Sequence, residues 1–280
     1  MTARGPRFAL LFALPLVLSL LPLAAQQATP ESPSDGQSTI HSARGLAAFQ
    51  KRDYAAAIRE FRWALKYAPK DPVLHNSLGE AYLAAGQADP AVVEFRKAIA
   101  LSPRFTEAYI NMGRALESRQ DLQGAITFYR WAAQFRPGWG EARLALGKAL
   151  AATGSLPEAK TELEAAIKLD PNSSAPHNVL GLTLLREQKW REAAVEFQKV
   201  TELDPRDFAA HQNLGTARLR AGDLDAAIEQ FRAAMDLSPE SAPAHYQLGL
   251  ALRKKGEAAQ ASAEFERAAQ LDPQLKPPSD

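Results

Sequence analysis

The sequence predicts an all-α protein built from seven stacked helical hairpins. Two observations lead to this fold class: a strict period of 34 residues, and apolar residues at helical spacing within each period. Proline recurs at 69, 103, 137, 171, 205, 239 and 273, and glycine at 45, 79, 113, 147, 181, 215 and 249. A fixed period of this length indicates repeats that bury their hydrophobic faces against their neighbours.

The first 25 residues precede the repeats and predict a secretory signal peptide. Arg4 and Arg7 are followed by residues 8–25, which carry no charge and are mostly apolar. Small and polar residues come next, so we expect cleavage near Ala25 and export to the periplasm or the extracellular space. The alternative is an uncleaved membrane anchor, since about 18 apolar residues is the lower limit for spanning a bilayer.

The remaining boundaries follow from composition and from the period. Residues 26–37 are rich in proline, serine and glutamine, and they predict a flexible linker. Residues 38–273 form the predicted solenoid, and residues 274–280 form a C-terminal tail. The repeats begin at Ser38, Pro72, Thr106, Gly140, Ser174, Phe208 and Ala242.

Each repeat, numbered from position 1 to position 34, contains two amphipathic helices. Positions 4, 7, 8 and 11 form one stripe and positions 20, 24, 27 and 28 form a second, at the spacing typical of helices. A gap near position 15, often glycine, separates the helices, and proline at position 32 ends the second helix. Glycine at position 8 costs about 1 kcal/mol relative to alanine in a helix, so we expect a close approach of the sister helix there.

Leucine at position 7, glycine at 8, alanine at 20, an aromatic residue at 24, alanine at 27 and proline at 32 together resemble the tetratricopeptide repeat (TPR). The resemblance covers residues 38–273. It implies a right-handed α-solenoid of helix-turn-helix hairpins whose first helices line a concave groove. It also implies protein or peptide binding rather than catalysis. The terminal repeats depart from the pattern at Arg44 and Ala48 and at Ser262 and Ala269, and the last two indicate that the seventh repeat ends the stack.

All five histidines stand at position 4 of a repeat: His41, His75, His177, His211 and His245. A ladder of metal ligands is disfavoured, because neighbouring hairpins lie about 10 Å apart whereas zinc ligands lie about 2 Å from one ion. We therefore interpret these histidines as packing residues at the hairpin seam. Sensitivity of the seam to pH is a further hypothesis, since histidine changes charge near neutrality.

Composition and motifs exclude several kinds of chemistry. The chain has no cysteine, which rules out disulfides, thiol catalysis and thiolate metal sites. It also lacks the common signatures of metalloproteases, serine hydrolases and calcium loops. A net charge of +1 gives no strong attraction to nucleic acid. We therefore expect no enzymatic activity, no cofactor, no metal and no nucleic-acid partner.

The TPR resemblance places the candidate binding residues at positions 2, 5, 6, 9, 12 and 13 of the first helices. The candidates are Asn76, Ile110, Asn111, Leu144, Asn178, Leu182, Leu185, Arg186, Asn213, Leu219, Arg220, Tyr246, Arg253 and Lys254. Amide side chains both donate and accept hydrogen bonds, which suits an extended peptide backbone. The cations at position 13 (Arg186, Arg220 and Lys254) indicate either a dock for an acidic segment or a terminal carboxylate, or a favourable charge at a helix end.

Trp63 and Trp131 at position 26 indicate either a second, convex interface or contacts with neighbouring hairpins.

The sequence predicts an exported, non-catalytic scaffold of the cell envelope that holds a protein or peptide in its groove. Two alternatives stay open, a membrane-anchored assembly factor and an accessory subunit of an enzyme complex. A membrane is a partner only if residues 8–25 are retained. The sequence identifies neither the partner nor the oligomeric state.

Overall fold

The computed structural model describes residues 33–275, which form fourteen α-helices and no strand. The helices are α1 (Pro33–Gln50), α2 (Tyr54–Tyr67), α3 (Pro72–Ala84), α4 (Ala88–Leu101), α5 (Thr106–Ser118), α6 (Leu122–Phe135), α7 (Gly140–Ala152), α8 (Leu156–Leu169), α9 (Ser174–Arg186), α10 (Trp190–Leu203), α11 (Phe208–Ala221), α12 (Leu224–Leu237), α13 (Ala242–Lys255) and α14 (Ala258–Leu271). Each repeat contributes two helices that pack on each other, and each second helix packs on the first helix of the next repeat. The predicted α-solenoid of seven hairpins is confirmed.

Some of the sequence predictions concern residues that the structure does not describe. The predicted signal peptide, residues 26–32 of the predicted linker and residues 276–280 of the tail lie outside the described part of the chain. Among the helices within residues 33–275, none combines the length and the apolar character needed to cross a bilayer.

The first helix begins earlier than the sequence analysis predicted. Helix α1 starts at Pro33, so residues 33–37 of the predicted linker are helical. Proline suits the first position of a helix because its missing N–H would have no intrahelical partner there. The composition of residues 33–37 therefore indicated a linker, although Pro33 favours the start of a helix.

The turn between the two helices has the same backbone conformation in all seven repeats. Position 15 lies in the left-handed region every time, at Arg52 (φ 60°), Gly86 (75°), Gln120 (64°), Gly154 (86°), Gln188 (59°), Gly222 (91°) and Gly256 (92°). Four of the seven repeats place glycine there, the residue that adopts this conformation without steric cost. The predicted gap near position 15 is therefore a required left-handed residue.

The glycine at position 8 makes room for the large residue at position 24 of the sister helix. A Cβ atom on Gly181 would lie 2.7 Å from the ring of Phe197, and one on Gly215 would lie 2.6 Å from Phe231. The position-24 side chains are almost fully buried: Phe61, Phe95, Tyr129, Leu163, Phe197, Phe231 and Phe265. The close approach predicted from sequence is present, and its partner is the position-24 side chain.

The first helices lie on the inside of the curved stack. Helix α3 contacts α5, α7 contacts α9, and α11 contacts α13, whereas no pair of successive second helices makes contact of similar extent. Elements that are closer together lie at the smaller radius of a curved array. The first helices therefore line the concave groove, and the second helices form the convex face.

We expect Gly181→Ala to destabilise the protein by about 1 kcal/mol. Overpacking a filled core costs about 1–3 kcal/mol, which exceeds the roughly 1 kcal/mol that alanine gains over glycine in a helix. Denaturant unfolding of the variant and of the wild type measures the difference. Gly138→Ala is the matched control, because a Cβ on Gly138 meets no atom within 4 Å. Equal stability of the Gly181→Ala variant and the wild type would contradict this account of position 8.

Candidate functional site

The position-4 side chains form polar pairs across the seam of each hairpin. Nδ1 of His75 lies 2.6 Å from a carboxylate oxygen of Glu94, and His245 makes the same contact with Glu264. His41 with Glu60, His177 with Glu196, Arg143 with Glu162, and His211 with Gln230 complete the series. In the third repeat the pair is apolar, with the rings of Tyr109 and Phe128 at 6.2 Å. Every position-4 residue is thus paired with position 23 of its own repeat.

In the second, third, fourth, sixth and seventh repeats, position 4 also contacts the loop that enters the repeat. Nε2 of His75 lies 3.0 Å from the carbonyl oxygen of Pro69, and the Tyr109 hydroxyl donates to the carbonyl of Pro103 at 2.9 Å. Burial raises the pKa of Tyr109, so its hydroxyl keeps the proton that it donates. An imidazole with a proton on both nitrogens satisfies the carboxylate and the carbonyl together. These contacts agree with the packing interpretation of the histidines, and the hypothesis of pH sensitivity stays a prediction.

Residues 36–275 contain no group of three or more histidine, aspartate or glutamate side chains placed to hold a metal ion. The seam histidines instead lie one per repeat, each against its own partner at position 23. The geometry of the seam is that of a structural element, so the candidate functional surface is the concave groove.

In the N-terminal half of the groove the amide side chains bind each other. The Nδ2 group of Asn111 donates to Oδ1 of Asn76 at 3.0 Å and to Glu80 at 2.8 Å, and its Oδ1 accepts from Arg114. Arg114 also pairs with Glu141 of the next repeat. Asn76 and Asn111 are only 6% and 4% exposed. These two predicted binding residues are therefore almost fully buried and join neighbouring repeats.

In the C-terminal half of the groove the amide side chains are free. Asn178, Asn213 and Gln247 are half-buried, and none of them forms a side-chain hydrogen bond with another described residue. Leu182 lies on the same surface and is exposed. This half of the groove therefore offers unpaired donors and acceptors beside an exposed apolar side chain.

A cavity of about 450 Å³ lies at the C-terminal end of the groove. It is lined by Thr216, Leu219, Arg220, Gln247, Leu250, Arg253 and Lys254. Among the described residues, three cations and no carboxylate line it. The nearby Lys255 adds no free charge, because hydrogen bonds to Asp225 and Glu257 hold it elsewhere and raise its pKa.

The predicted basic stripe at position 13 is divided by its contacts. Arg186 donates to the carbonyl of Ala151 at 2.5 Å, and Lys254 donates to the carbonyl of Leu219 at 3.3 Å. Both carbonyls lie at the end of the preceding first helix, which is where the helix dipole favours a cation. Arg220 is exposed and has no hydrogen-bond or ion-pair partner within the described part of the chain. The helix-end interpretation thus describes Arg186 and Lys254, and the docking interpretation is left to Arg220.

The other predicted groove residues differ in how far they reach the surface. Ile110 and Leu219 are buried, with 2% and 8% of their surface exposed. Leu144 and Leu185 are partly buried and pack against the core. Tyr246 packs at 5.5 Å from the ring of Phe265, and the guanidinium of Arg253 lies 5.8 Å from the same ring. Ile110 therefore contributes to stability, while Tyr246 and Arg253 are held in place at the C-terminal end of the groove.

The two tryptophans at position 26 lie on the convex face. Both are exposed, Trp63 by 41% and Trp131 by 42%. Trp131 packs edge-on against Tyr109 and Phe128, whereas Trp63 stacks on His41. Each tryptophan therefore both contacts its own hairpin and leaves part of its ring on the surface.

Comparison with known families agrees with this geometry. One family model, described as the tetratricopeptide repeat, matches residues 42–103, 78–138, 178–242 and 213–276, and a second model with that description matches residues 116–182. The chain belongs to the tetratricopeptide repeat family. A search of curated proteins found no match.

Several solved TPR structures resemble this chain. YrrB, described as a TPR protein with an unusual peptide-binding site, is 26% identical to this chain and superposes with a TM-score of 0.59. The match covers 65% of this chain and 94% of the YrrB chain. MamA from Desulfovibrio magneticus is 25% identical, covers 60% of this chain and 96% of its own, and has a TM-score of 0.58. A TPR protein from Parabacteroides merdae has a TM-score of 0.63 over 85% of this chain and 94% of its own, and at 14% identity it shows the fold alone.

Sequence reasoning missed two features of this TPR protein. Thr216 lines the groove cavity at position 9, a position that the repeat numbering already assigned to the groove. The position-23 partners of the seam residues were also missed. Their signal is a spacing of 19 residues at which histidine or arginine faces glutamate or glutamine, and tyrosine faces phenylalanine.

We expect His75→Ala to destabilise the protein by about 2 kcal/mol, because it leaves the buried carboxylate of Glu94 without one of its two partners. His211→Ala is the matched control. This variant also loses a contact with a proline carbonyl, that of Pro205, but its partner at position 23 is the neutral, half-buried Gln230. We therefore expect His211→Ala to lower the free energy of unfolding by about 1 kcal/mol or less. Denaturant unfolding compares the two variants. An equal loss of stability in both would show that the charge of Glu94 makes no additional contribution.

Proposed function

We propose that this TPR protein is an exported, non-catalytic scaffold that holds an extended segment of a partner protein in the C-terminal half of its concave groove. Family membership and the likeness to a peptide-binding TPR structure support a protein or peptide ligand. The position proposed for the peptide rests on the contrast between the two halves of the groove. Amides are paired at Asn76 and Asn111, and they are free at Asn178 and Asn213.

The free groups match the chemistry of an extended peptide. Asn178, Asn213 and Gln247 each offer a donor and an acceptor to a peptide backbone. Leu182 offers apolar contact to a side chain, and Arg220 offers a charge-assisted hydrogen bond to a carboxylate. The charged side chains that line the adjoining cavity within residues 36–275 are all cations, so an acidic side chain or a free carboxyl terminus would meet positive charge there.

The groove is present before any ligand binds. Each first helix is fixed by its sister helix and by the second helix of the preceding repeat, except at the N-terminal end. A preformed surface loses little conformational entropy on binding, which leaves more of the contact energy for affinity.

The proposed location is the cell envelope, and it rests on residues 1–25 alone. N-terminal sequencing of the protein purified from its host is the test, and we expect the mature chain to begin near Gln26. A chain that still begins at Met1 would instead favour the membrane-anchored assembly factor.

The groove assignment predicts which amides matter for binding. Peptides with free carboxyl termini are selected from a displayed random library on the wild-type protein, and their affinities are measured by fluorescence anisotropy. We expect acidic residues to be enriched near the carboxyl end. Asn178→Ala/Asn213→Ala should weaken binding by about tenfold, at about 1 kcal/mol or less for each lost hydrogen bond. Arg220→Glu should weaken it by at least as much.

The matched control is Asn76→Ala/Asn111→Ala, which removes the paired amides of the other half. We expect this control to lower the stability of the fold and to leave the affinity of the folded protein within about twofold, since those amides already bind each other. Selection of no peptide, or an equal loss of affinity in both double variants, would contradict the proposed site.

A further inference from the structure

The first repeat carries positive charge that its own acidic residues do not neutralise. Residues 38–71 contain seven lysines and arginines against three aspartates and glutamates. The cations are Arg44, Lys51, Arg52, Arg59, Arg62, Lys66 and Lys70. The chain as a whole has a net charge of only +1, so this excess is a property of one end of the solenoid.

All three acidic residues of the first repeat are occupied by structural contacts. Asp53 accepts from the backbone N–H of Ala56 at the start of α2, and Asp71 accepts from the N–H of Val73 at the start of α3. Glu60 lies 2.8 Å from Nδ1 of His41. None of the seven cations forms an ion pair with another residue of the described chain. In the other repeats, cations such as Lys97 do form ion pairs.

The uncompensated cations share one face of α2 with two aromatic residues. We call this surface the basic face, and its members are Arg59, Arg62, Trp63, Lys66 and Tyr67, all of them exposed. At 100° per residue these five positions span about 140° of the helix. Lys51 and Arg52 precede α2 and Lys70 follows it, so positive charge borders the basic face at both ends. The result is a broad positive surface on the convex side.

Two adjoining cavities on the convex side share Arg62 and Lys66. One, of about 410 Å³, is also lined by Ile58, Arg59 and Trp63. The other, of about 910 Å³, reaches the next hairpin and includes Lys97. The one carboxylate among its described lining residues is that of Glu94, which already pairs with His75 and Lys97. Both cavities therefore present cations that have no acidic partner.

The aromatic side chains of the basic face are held in a fixed arrangement. The ring of His41 stacks on Trp63 at 5.8 Å and on Tyr67 at 6.1 Å, with interplanar angles of 18° and 7°. The ammonium group of Lys66 lies 3.6 Å from the centre of the Trp63 ring. Trp63 and Tyr67 nevertheless remain 41% and 37% exposed. An apolar ring surface is thus available directly beside the cations.

This combination does not recur along the solenoid. Positions 22, 25, 26 and 29 are Arg59, Arg62, Trp63 and Lys66 in the first repeat, and they are Glu229, Arg232, Ala233 and Asp236 in the sixth. No other repeat has a cation at all three of positions 22, 25 and 29. The basic face is therefore specific to the end that follows the apolar segment 8–25.

We propose that the basic face docks on an anionic phospholipid surface. Lysine and arginine close to a bilayer are attracted by anionic headgroups, and tryptophan and tyrosine favour the interface because each has an apolar ring and a polar group. A bilayer surface carries many anionic headgroups, and these can pair with cations that are spread over one helix face and both of its flanks. The groove of repeats five to seven stays free for a peptide while the first repeat contacts the membrane.

The experiment uses the chain that begins at Gln26, so that residues 8–25 cannot insert into the vesicles. All fourteen described helices begin at or after Pro33 and pack on each other, so this chain keeps every described contact. Cosedimentation is measured with vesicles of equal parts phosphatidylglycerol and phosphatidylcholine, and with vesicles of phosphatidylcholine alone. We expect binding to the anionic vesicles only, with an affinity that falls as the salt concentration rises.

The test variant is Arg62→Glu/Lys66→Glu, and the matched control is Lys168→Glu/Arg232→Glu. The control changes the charge equally at exposed positions 29 and 25 of other repeats. We expect the test variant to lose at least about thirtyfold in vesicle affinity and the control to change by less than about threefold. Circular dichroism checks that both variants keep the helical fold.

Three outcomes would overturn the proposal: no sedimentation with anionic vesicles, equal binding to neutral vesicles, or equal losses in the test variant and the control. A fourth outcome is that polyglutamate binds more tightly than vesicles and that the test variant loses this binding. That outcome would assign the basic face to an acidic protein. Since the peptide selection uses the other end of the solenoid, the outcome for the groove is independent of the vesicle result.

Discussion

The solenoid depends on the contact between the glycine at position 8 and the large side chain at position 24. That contact sets how closely the two helices of a hairpin approach, as the 2.7 Å from an added Cβ on Gly181 to the Phe197 ring makes clear. A hairpin of this width leaves one face of the second helix to pack on the next first helix. Seven equal hairpins therefore stack at a constant spacing, and the groove follows from that repetition.

Polar contacts at the seam add a second level of organisation. In five repeats the residue at position 4 contacts both position 23 of its own second helix and the loop that enters the repeat, as His75 does with Glu94 and Pro69. It thus fixes both the width of a hairpin and its junction with the neighbour. Histidine or arginine at this position faces glutamate or glutamine at position 23, whereas Tyr109 faces Phe128, so polar side chains are paired with polar ones and the aromatic side chain with an aromatic one.

The two ends of the molecule differ in chemistry although their backbones are alike. The groove of repeats five to seven has free amides and a cavity lined by cations, whereas repeats two and three use their amides to bind each other. The first repeat has its charge on the convex side instead. A partner segment in the groove and a membrane under the basic face would therefore occupy opposite ends and opposite sides of one rigid array.

The sequence by itself determined the period, the two helices of each repeat, the gap between them near position 15 and the need for glycine at position 8, because each depends on residues close in the chain or on strict repetition. It also assigned residues to the groove side of the first helices. Only the tertiary structure decided which of them are free. Asn111 is paired and Asn213 is not, although both stand at position 6, because pairing depends on side chains about 35 residues away.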